Sequence, residues 1–233
     1  MKRFWSATHV TPTQAGFTIR LDDKPLRLPG GELILQCEPL AQAIAAEWAT
    51  AGGAAQSFTP DDLPLTRLAI TARDRTAPHR TEIIRQLTAF GLNDLLCYRA
   101  ESPPTLVAQE AAAWDPWLDW AAARFQAQLF TATGISPITQ PPATAAAFTT
   151  ALDALTDQNL AALGVIAPAL GSLVLALAIA DSALTPAAAC DLAHLDERFQ
   201  AQQWGTDPDA TARRAAILKD VADSTRFMML CRA

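Results

Sequence analysis

Apolar residues recur along this chain in two rhythms. Between Phe17 and Cys37, "FTIRLDDKPLRLPGGELILQC" sets short apolar runs between turn residues. This spacing predicts strand, turn at Asp22-Asp23-Lys24-Pro25, strand, turn at Pro29-Gly30-Gly31, strand, a small antiparallel meander. The period then changes in "EPLAQAIAAEWATAGG", where Pro39 suits a first helical turn and Leu40, Ala43, Ile44 and Trp48 recur at helical spacing up to Gly52-Gly53. A helix is therefore expected to cover one face of the sheet.

From about Leu63 onward no segment reads as a strand. "PLTRLAITARDR", "TEIIRQLTAF", "AAAWDPWLDWAAARFQAQLF", "TAAAFTTALDAL", "GSLVLALAIADSAL", "TPAAACDLAHLDERFQAQQWG" and "DATARRAAILKDVADSTRFMMLC" all space their apolar residues by three and four. Breaks such as "ESPPT", "TGISPITQPPA" and "TDPDA" suit ordinary loops between packed helices. The expected fold class is α+β: a β-rich N-terminal domain over residues 1–62 and an all-α domain over 63–233.

One stretch is apolar enough to raise a membrane question. Leu160 to Ala180 carries no charge and approaches the length of a bilayer span. Pro168 and Gly171 interrupt it, however, Asp157 and Asp181 flank it, and no aromatic residue marks its ends. A helix apolar on all sides, after a turn, belongs at the centre of a helical domain.

Half of the 233 residues are hydrophobic, which suits a chain that buries a large core. The net charge of −6 and the lack of a basic run argue against a nucleic-acid partner. Cys37, Cys97, Cys190 and Cys231 stand far apart with no CxxC pair, as expected of reduced, buried thiols without a zinc site. The start, "MKRFWSATHV", has neither the apolar core of an export signal nor the length of a mitochondrial presequence.

The chain lacks the glycine-rich loops that cradle phosphates and the GxSxG elbow of serine hydrolases, and offers only His9, His79 and His194 as imidazoles. Neither a nucleotide nor any other cofactor is expected. Two smaller groupings carry less weight, the first explained equally well by a structural hydrogen bond or a binding site. In "NDLLCYRA" Asp94 stands four residues before Tyr98 and next-but-four to Arg99, within reach of a hydrogen bond; Trp114, Trp117 and Trp120 form an aromatic stripe of the kind that usually fills a core.

The remaining candidate lies in "DLAHLDERFQAQQWGTDPDA". Thr185 as N-cap, Pro186 at the first turn and Gly205 past the end predict one helix over 186–204. On a wheel of about 100° per residue, Asp196, Glu197, Gln200, Gln203 and Trp204 share a sector roughly 120° wide. Leu192, Leu195 and Phe199 form a separate apolar stripe, and His194 and Arg198 point away from the carboxylates. Divergent side chains make a poor metal site and a poor acid/base pair. The sector instead offers carboxylates and amides around a large amphipathic ring, the make-up of a protein-recognition patch. A solvated helix face whose tryptophan packs internally is the plainer alternative. A hydrolase or metal-dependent enzyme using Asp196 or Glu197 is the other.

In chain order, "RFW", "LDDKPLRLPGG", "LAQAIAAEW", "LPLTRLAITARD", "DLLCYRAESP", "WDPWLDWAAARF", "GSLVLALA" and "DERFQAQQWGTDPDA" resemble the chaperone family that binds the α subunit of the F-type ATP synthase during assembly of its catalytic head. This family comprises the mitochondrial complex assembly factor two proteins and their α-proteobacterial relatives. The resemblance runs from Arg3 to about Ala215. It implies a non-enzymatic chaperone with a β-rich N-terminal and a helical C-terminal domain. It also implies a functionally important acidic residue in the helical part, at Asp196 or Glu197. Ile70 and Pro208-Asp209 depart from the family pattern. By the same resemblance the chain looks more like a bacterial cytoplasmic member than a mitochondrial precursor, although a processed matrix protein would look similar.

Overall fold

In the computed structural model β1 (Thr8–Thr13) and β2 (Gly16–Leu21) form an antiparallel hairpin with Val10 opposite Ile19 and Pro12 opposite Phe17. The structure describes residues 1–134 and 136–232, so Ile135 of the expected "TGISPITQPPA" break and the final Ala233 lie outside the described residues. The sequence reading missed β1. Its run, "THVTPT", holds one aliphatic side chain and a proline, and survives as an edge strand because the edge needs no second set of hydrogen bonds.

The rest of the sheet departs from a plain meander. The first turn is Asp22-Asp23 alone, and Lys24–Pro25 already belongs to β3, paired with β2. Asp22 takes a left-handed φ of 53° and accepts the backbone N–H groups of Ser6 and Ala7 at 3.0 and 2.9 Å. These two bonds hold its carboxyl below the usual aspartate range. The chain then leaves the sheet for a separate hairpin, β4 (Arg27–Leu28) with β5 (Gly31–Glu32). It returns as β6 (Ile34–Leu35) to pair with β2, Leu35 opposite Phe17. Central β2 buries Thr18, Ile19 and Leu21.

α1 (Glu38–Thr50) carries Pro39 in its first turn as predicted and buries Leu40, Ala41, Ile44, Ala45 and Trp48. Trp5, Trp48 and Phe58 form an aromatic cluster with centroids 5.1 to 5.7 Å apart. From there the contacts continue into α2 (Pro64–Thr71), which has no cap of its own. Glu47 supplies it: its carboxylate accepts Leu65 N–H at 2.6 Å, Thr66 N–H at 3.0 Å and the Thr66 hydroxyl at 2.9 Å. Trp48 Nε1 also donates to the Thr66 hydroxyl at 3.1 Å. Hydrophobic residues of both parts of the chain merge into one core.

After α2 the backbone widens through Ala72–Thr76 and continues as α3 (Arg80–Gly91), α4 (Pro104–Phe125), α5 (Pro142–Asp153), α6 (Asp157–Leu170), α7 (Leu173–Ala180), α8 (Pro186–Ala193), α9 (Leu195–Trp204) and α10 (Pro208–Leu230). One feature corrects the expectation of a wholly helical second part. Tyr98–Arg99 (β7) and Ala132–Thr133 (β8) pair in parallel, a ladder too short to leave a period of two in the sequence. The architecture is α+β, as the sequence predicts.

The apolar stretch at 160–180 resolves into α6, a turn and α7. Gly171 takes a left-handed φ of 68° that suits glycine and ends α6. All eight residues of α7 are buried. Among the described residues no helix is long and apolar enough to cross a membrane.

The predicted single helix over 186–204 is two. Thr185 caps α8, its hydroxyl accepting Ala188 N–H at 3.3 Å, and Gly205 with φ of 93° follows Trp204. Between them, His194 leaves helical geometry at φ −107° and ψ 26°. There Trp114 Nε1 on α4 donates at 3.0 Å to the Leu192 carbonyl, the group that a continuous helix would offer to Asp196 N–H. Buried His194 turns its Nδ1 to the Cys190 carbonyl at 2.8 Å.

Asp94 is fully buried and accepts Val174 N–H at the start of α7 at 2.9 Å and Leu96 N–H at 3.0 Å. It does not meet Tyr98, whose hydroxyl lies 3.4 Å from Asn93 Oδ1. Burial, against these donors, pushes the Asp94 carboxyl up to about 6. Asp94→Asn replaces one acceptor by a donor facing an N–H group, and is expected to lower unfolding free energy by about 2 kcal/mol at pH 7. Because the folded-state value is raised, the native protein gains stability from this group as pH falls through 6 towards 3.8. Urea unfolding should therefore show the gap between native protein and variant widening over that interval.

Candidate partner-docking surface

α9 begins with two carboxylates in its first turn, where the helix dipole favours negative charge. They face different neighbours. Asp196 reaches into the contact with α4 and lies against Glu110, which is 1% exposed. Glu110 Oε2 accepts the Ala100 N–H at 2.8 Å, while Glu110 Oε1 and Asp196 Oδ1 are both buried without a donor. Glu197 turns towards α10, where Arg213 and Arg214 each approach it at 3.4 Å.

The remaining three members of the sector share an open face. Gln200 and Gln203 are exposed and Trp204 is 80% exposed, so the ring does not pack internally. The structure thus brings Gln200, Gln203 and Trp204 together, sets Glu197 beside them under the two arginines, and separates Asp196 towards α4. The expected apolar stripe is real but shallow: Phe199 is buried, while Leu192 and Leu195 are half-buried. With Ala112 and Ala113 of α4 these residues line a groove of about 430 Å³. Arg198 borders it and pairs with Asp191 at 3.0 Å.

The other groupings fall to scaffold. Trp114 is buried; Trp117 and Trp120 are half-buried and meet edge to face at 6.0 Å. Arg99 stacks over Trp114 at 5.3 Å and binds Asp115 at 2.7 Å. Cys97 and Cys190 are buried; Cys37 and Cys231 are half-buried, and the Cys37 thiol donates to the Cys231 carbonyl at 3.3 Å, a proximity that sequence separation concealed. Among the described residues no three His, Cys, Asp or Glu side chains cluster as metal ligands.

Glu110 is the residue that sequence reasoning missed. Leu106, Glu110, Trp114, Leu118 and Ala121 form the buried face of α4, so a glutamate occupies an otherwise apolar stripe. That placement was the available signal, because a lone buried carboxyl demands a partner.

Solved structures share this fold over nearly the whole chain. Paracoccus denitrificans Atp12 is 36% identical over 99% of this chain and 98% of its own, with a TM-score of 0.90. A charge-reversing aspartate-to-lysine variant of that protein superposes over the same shares at 0.91. A chaperone candidate from Agrobacterium tumefaciens is 37% identical over 98% of this chain and 85% of its own, also at 0.91. The sequence model of the ATP12 chaperone protein family matches residues 2–122. This chain belongs to the ATP12 chaperone family.

The two faces of α9 should separate in a stability series. Trp204→Ala and Gln200→Ala, both at exposed positions, are expected to change unfolding free energy by no more than about 0.5 kcal/mol. Phe199→Ala should cost about 3 kcal/mol, because the ring is buried and its removal leaves a cavity. Urea denaturation of the three variants measures the contrast.

Proposed function

We propose that this protein is an assembly chaperone that binds the unassembled α subunit of the F-type ATP synthase catalytic head and covers the surface destined for the β subunit. It does so without turnover and without nucleotide, cofactor or metal. The observation that supports this reading most is Trp204, a large amphipathic ring 80% exposed beside Gln200 and Gln203, in a chain of a chaperone family. An exposed indole flanked by amides gains apolar burial and directional hydrogen bonds only when another protein covers it. Glu197, braced by Arg213 and Arg214, borders the same face, and the adjoining α4–α9 groove offers apolar surface.

In this reading residues 1–62 and 63–233 are the two domains, and the docking face belongs to the second. The compartment follows the partner: the cytoplasm in a bacterium, or the mitochondrial matrix for a processed eukaryotic protein. Asp196 contributes differently from the other four residues, through its place against α4.

Co-expression with the α subunit of the same organism is expected to yield a one-to-one complex and to raise the soluble yield of that subunit. Trp204→Ala is expected to weaken the complex about thirty-fold, equivalent to about 2 kcal/mol at an interface anchor. Glu197→Lys should weaken it by reversing charge at the border. Absence of any complex with the native chain, by co-purification and light scattering, would refute the α-subunit assignment.

A further inference from the structure

Glu110 and Asp196 face each other across the α4–α9 contact, each with a buried oxygen that no donor reaches. Two ionised carboxylates cannot share such a contact without strong repulsion in a medium that screens charge poorly. One proton between them removes the repulsion and satisfies both orphan oxygens at once: a carboxylic acid donates and a carboxylate accepts. We propose that Glu110 is a positioning residue of the docking surface: a single proton shared with Asp196 seats α9 on α4 and thereby presents Gln200, Gln203 and Trp204. The proposal rests on the docking role of that face.

The surrounding charges leave this proton in place. On β7, Arg99 attracts a charged Glu110 but is bonded to Asp115 of α4 at 2.7 Å and to the Leu96 carbonyl at 2.9 Å. At the α8–α9 joint, His194 turns Nδ1 to the Cys190 carbonyl, and Asp191 of α8 pairs with Arg198 of α9. From α10, Arg213 and Arg214 engage Glu197. Burial, opposed by the Ala100 N–H and aided by the neighbouring Asp196 carboxyl, raises the Glu110 carboxyl above its ordinary value of 4.5. A raised folded-state value has a definite sign. The stabilisation is complete below 4.5 and is lost as pH rises through the folded-state value, when the pair gives up its proton.

α9 depends on this contact because little else anchors it. Phe199 is its one buried residue, and its neighbours Leu192 and Leu195 are half-buried. Without the shared proton, the repelling carboxylates sit at the helix's first turn and bear on the whole element. The α9 face is thus tied to the protonation of a group on another helix.

Glu110→Gln tests the arrangement with minimal change of shape. Its amide oxygen replaces Oε2 as acceptor for the Ala100 N–H, and its NH₂, which does not titrate, replaces the shared proton as a donor to the facing Asp196 oxygen. Hydrogen exchange of peptides spanning residues 190–205 in the free, full-length protein, corrected for intrinsic rates, should show native α9 losing protection as pH rises. Glu110→Gln should hold that protection constant, and Glu110→Ala should lose it throughout. An infrared difference spectrum, native minus Glu110→Gln, should contain the carbonyl stretch of a buried protonated carboxylic acid. No such band, together with identical pH profiles for native protein and Glu110→Gln, overturns the shared proton without touching the docking role of Trp204.

The positioning role is read with the α subunit as partner. Glu110→Ala is expected to weaken the complex about ten-fold and Glu110→Gln to restore native affinity. If Glu110→Ala releases α9 yet binds as the native chain does, the positioning role is overturned. If Trp204→Ala is then also without effect, the docking role of the face fails with it.

Discussion

The fold depends on a helix with no polar side. α7 buries all eight of its residues, so its first N–H groups end in the interior where water cannot reach them. Asp94 and Ser172 resolve this: Asp94 accepts from Val174, and the Ser172 hydroxyl accepts from Leu175 at 3.0 Å. Asp94 also accepts from Leu96, and Leu95 N–H reaches the Gly171 carbonyl at 2.9 Å, so one buried carboxyl joins the chain after α3 to the turn between α6 and α7. Helices α3, α4, α6 and α8 can then surround α7, and α4 is held where α9 meets it.

How far the sequence shows this depends on whether the controlling interaction is local. Pro39, Gly171, Thr185, Pro186 and Gly205 act through their own backbone geometry or within one turn, and each marks a boundary where the pattern places it. Within the uncharged stretch at 160–180 the helix after the turn, α7, reads correctly as interior, whereas Gly164, Val165 and Pro168 of α6 are exposed. β1 is different: a strand with one aliphatic residue and a proline depends wholly on its neighbour β2. The break at His194 is different again, since part of it comes from an indole on α4, about eighty positions earlier in the chain.

The same distinction runs through the candidate site. Helical spacing on the C-terminal half of the predicted helix correctly gathers Gln200, Gln203 and Trp204, because α9 itself is regular from Leu195 to Trp204. It does not show that Asp196 turns from the other four towards Glu110 on α4, because that contact is made with another helix. The family model ends at residue 122, before α9, whereas the structural likeness covers 99% of the chain and includes it. The family model and the proposed docking face thus involve different parts of the molecule.

A docking face of the kind proposed must keep an aromatic ring exposed without losing it to its own core. α9 has one buried ring, Phe199, and at its start Asp196 lies against Glu110 while Glu197 pairs with Arg213 and Arg214. Apolar burial alone would favour turning Trp204 inward, since a buried indole gains more than an exposed one. In the proposed arrangement the carboxyl–carboxyl contact with Glu110 and the bracing of Glu197 by Arg213 and Arg214 fix the rotation of the helix about its axis, and rotation decides which side meets the solvent. The Glu197 ion pairs add little to global stability, because exposed or half-exposed ion pairs contribute only about 0–1 kcal/mol. Their proposed effect is orientational, and on that reading the acidic residues at the head of α9 and the tryptophan at its end act together.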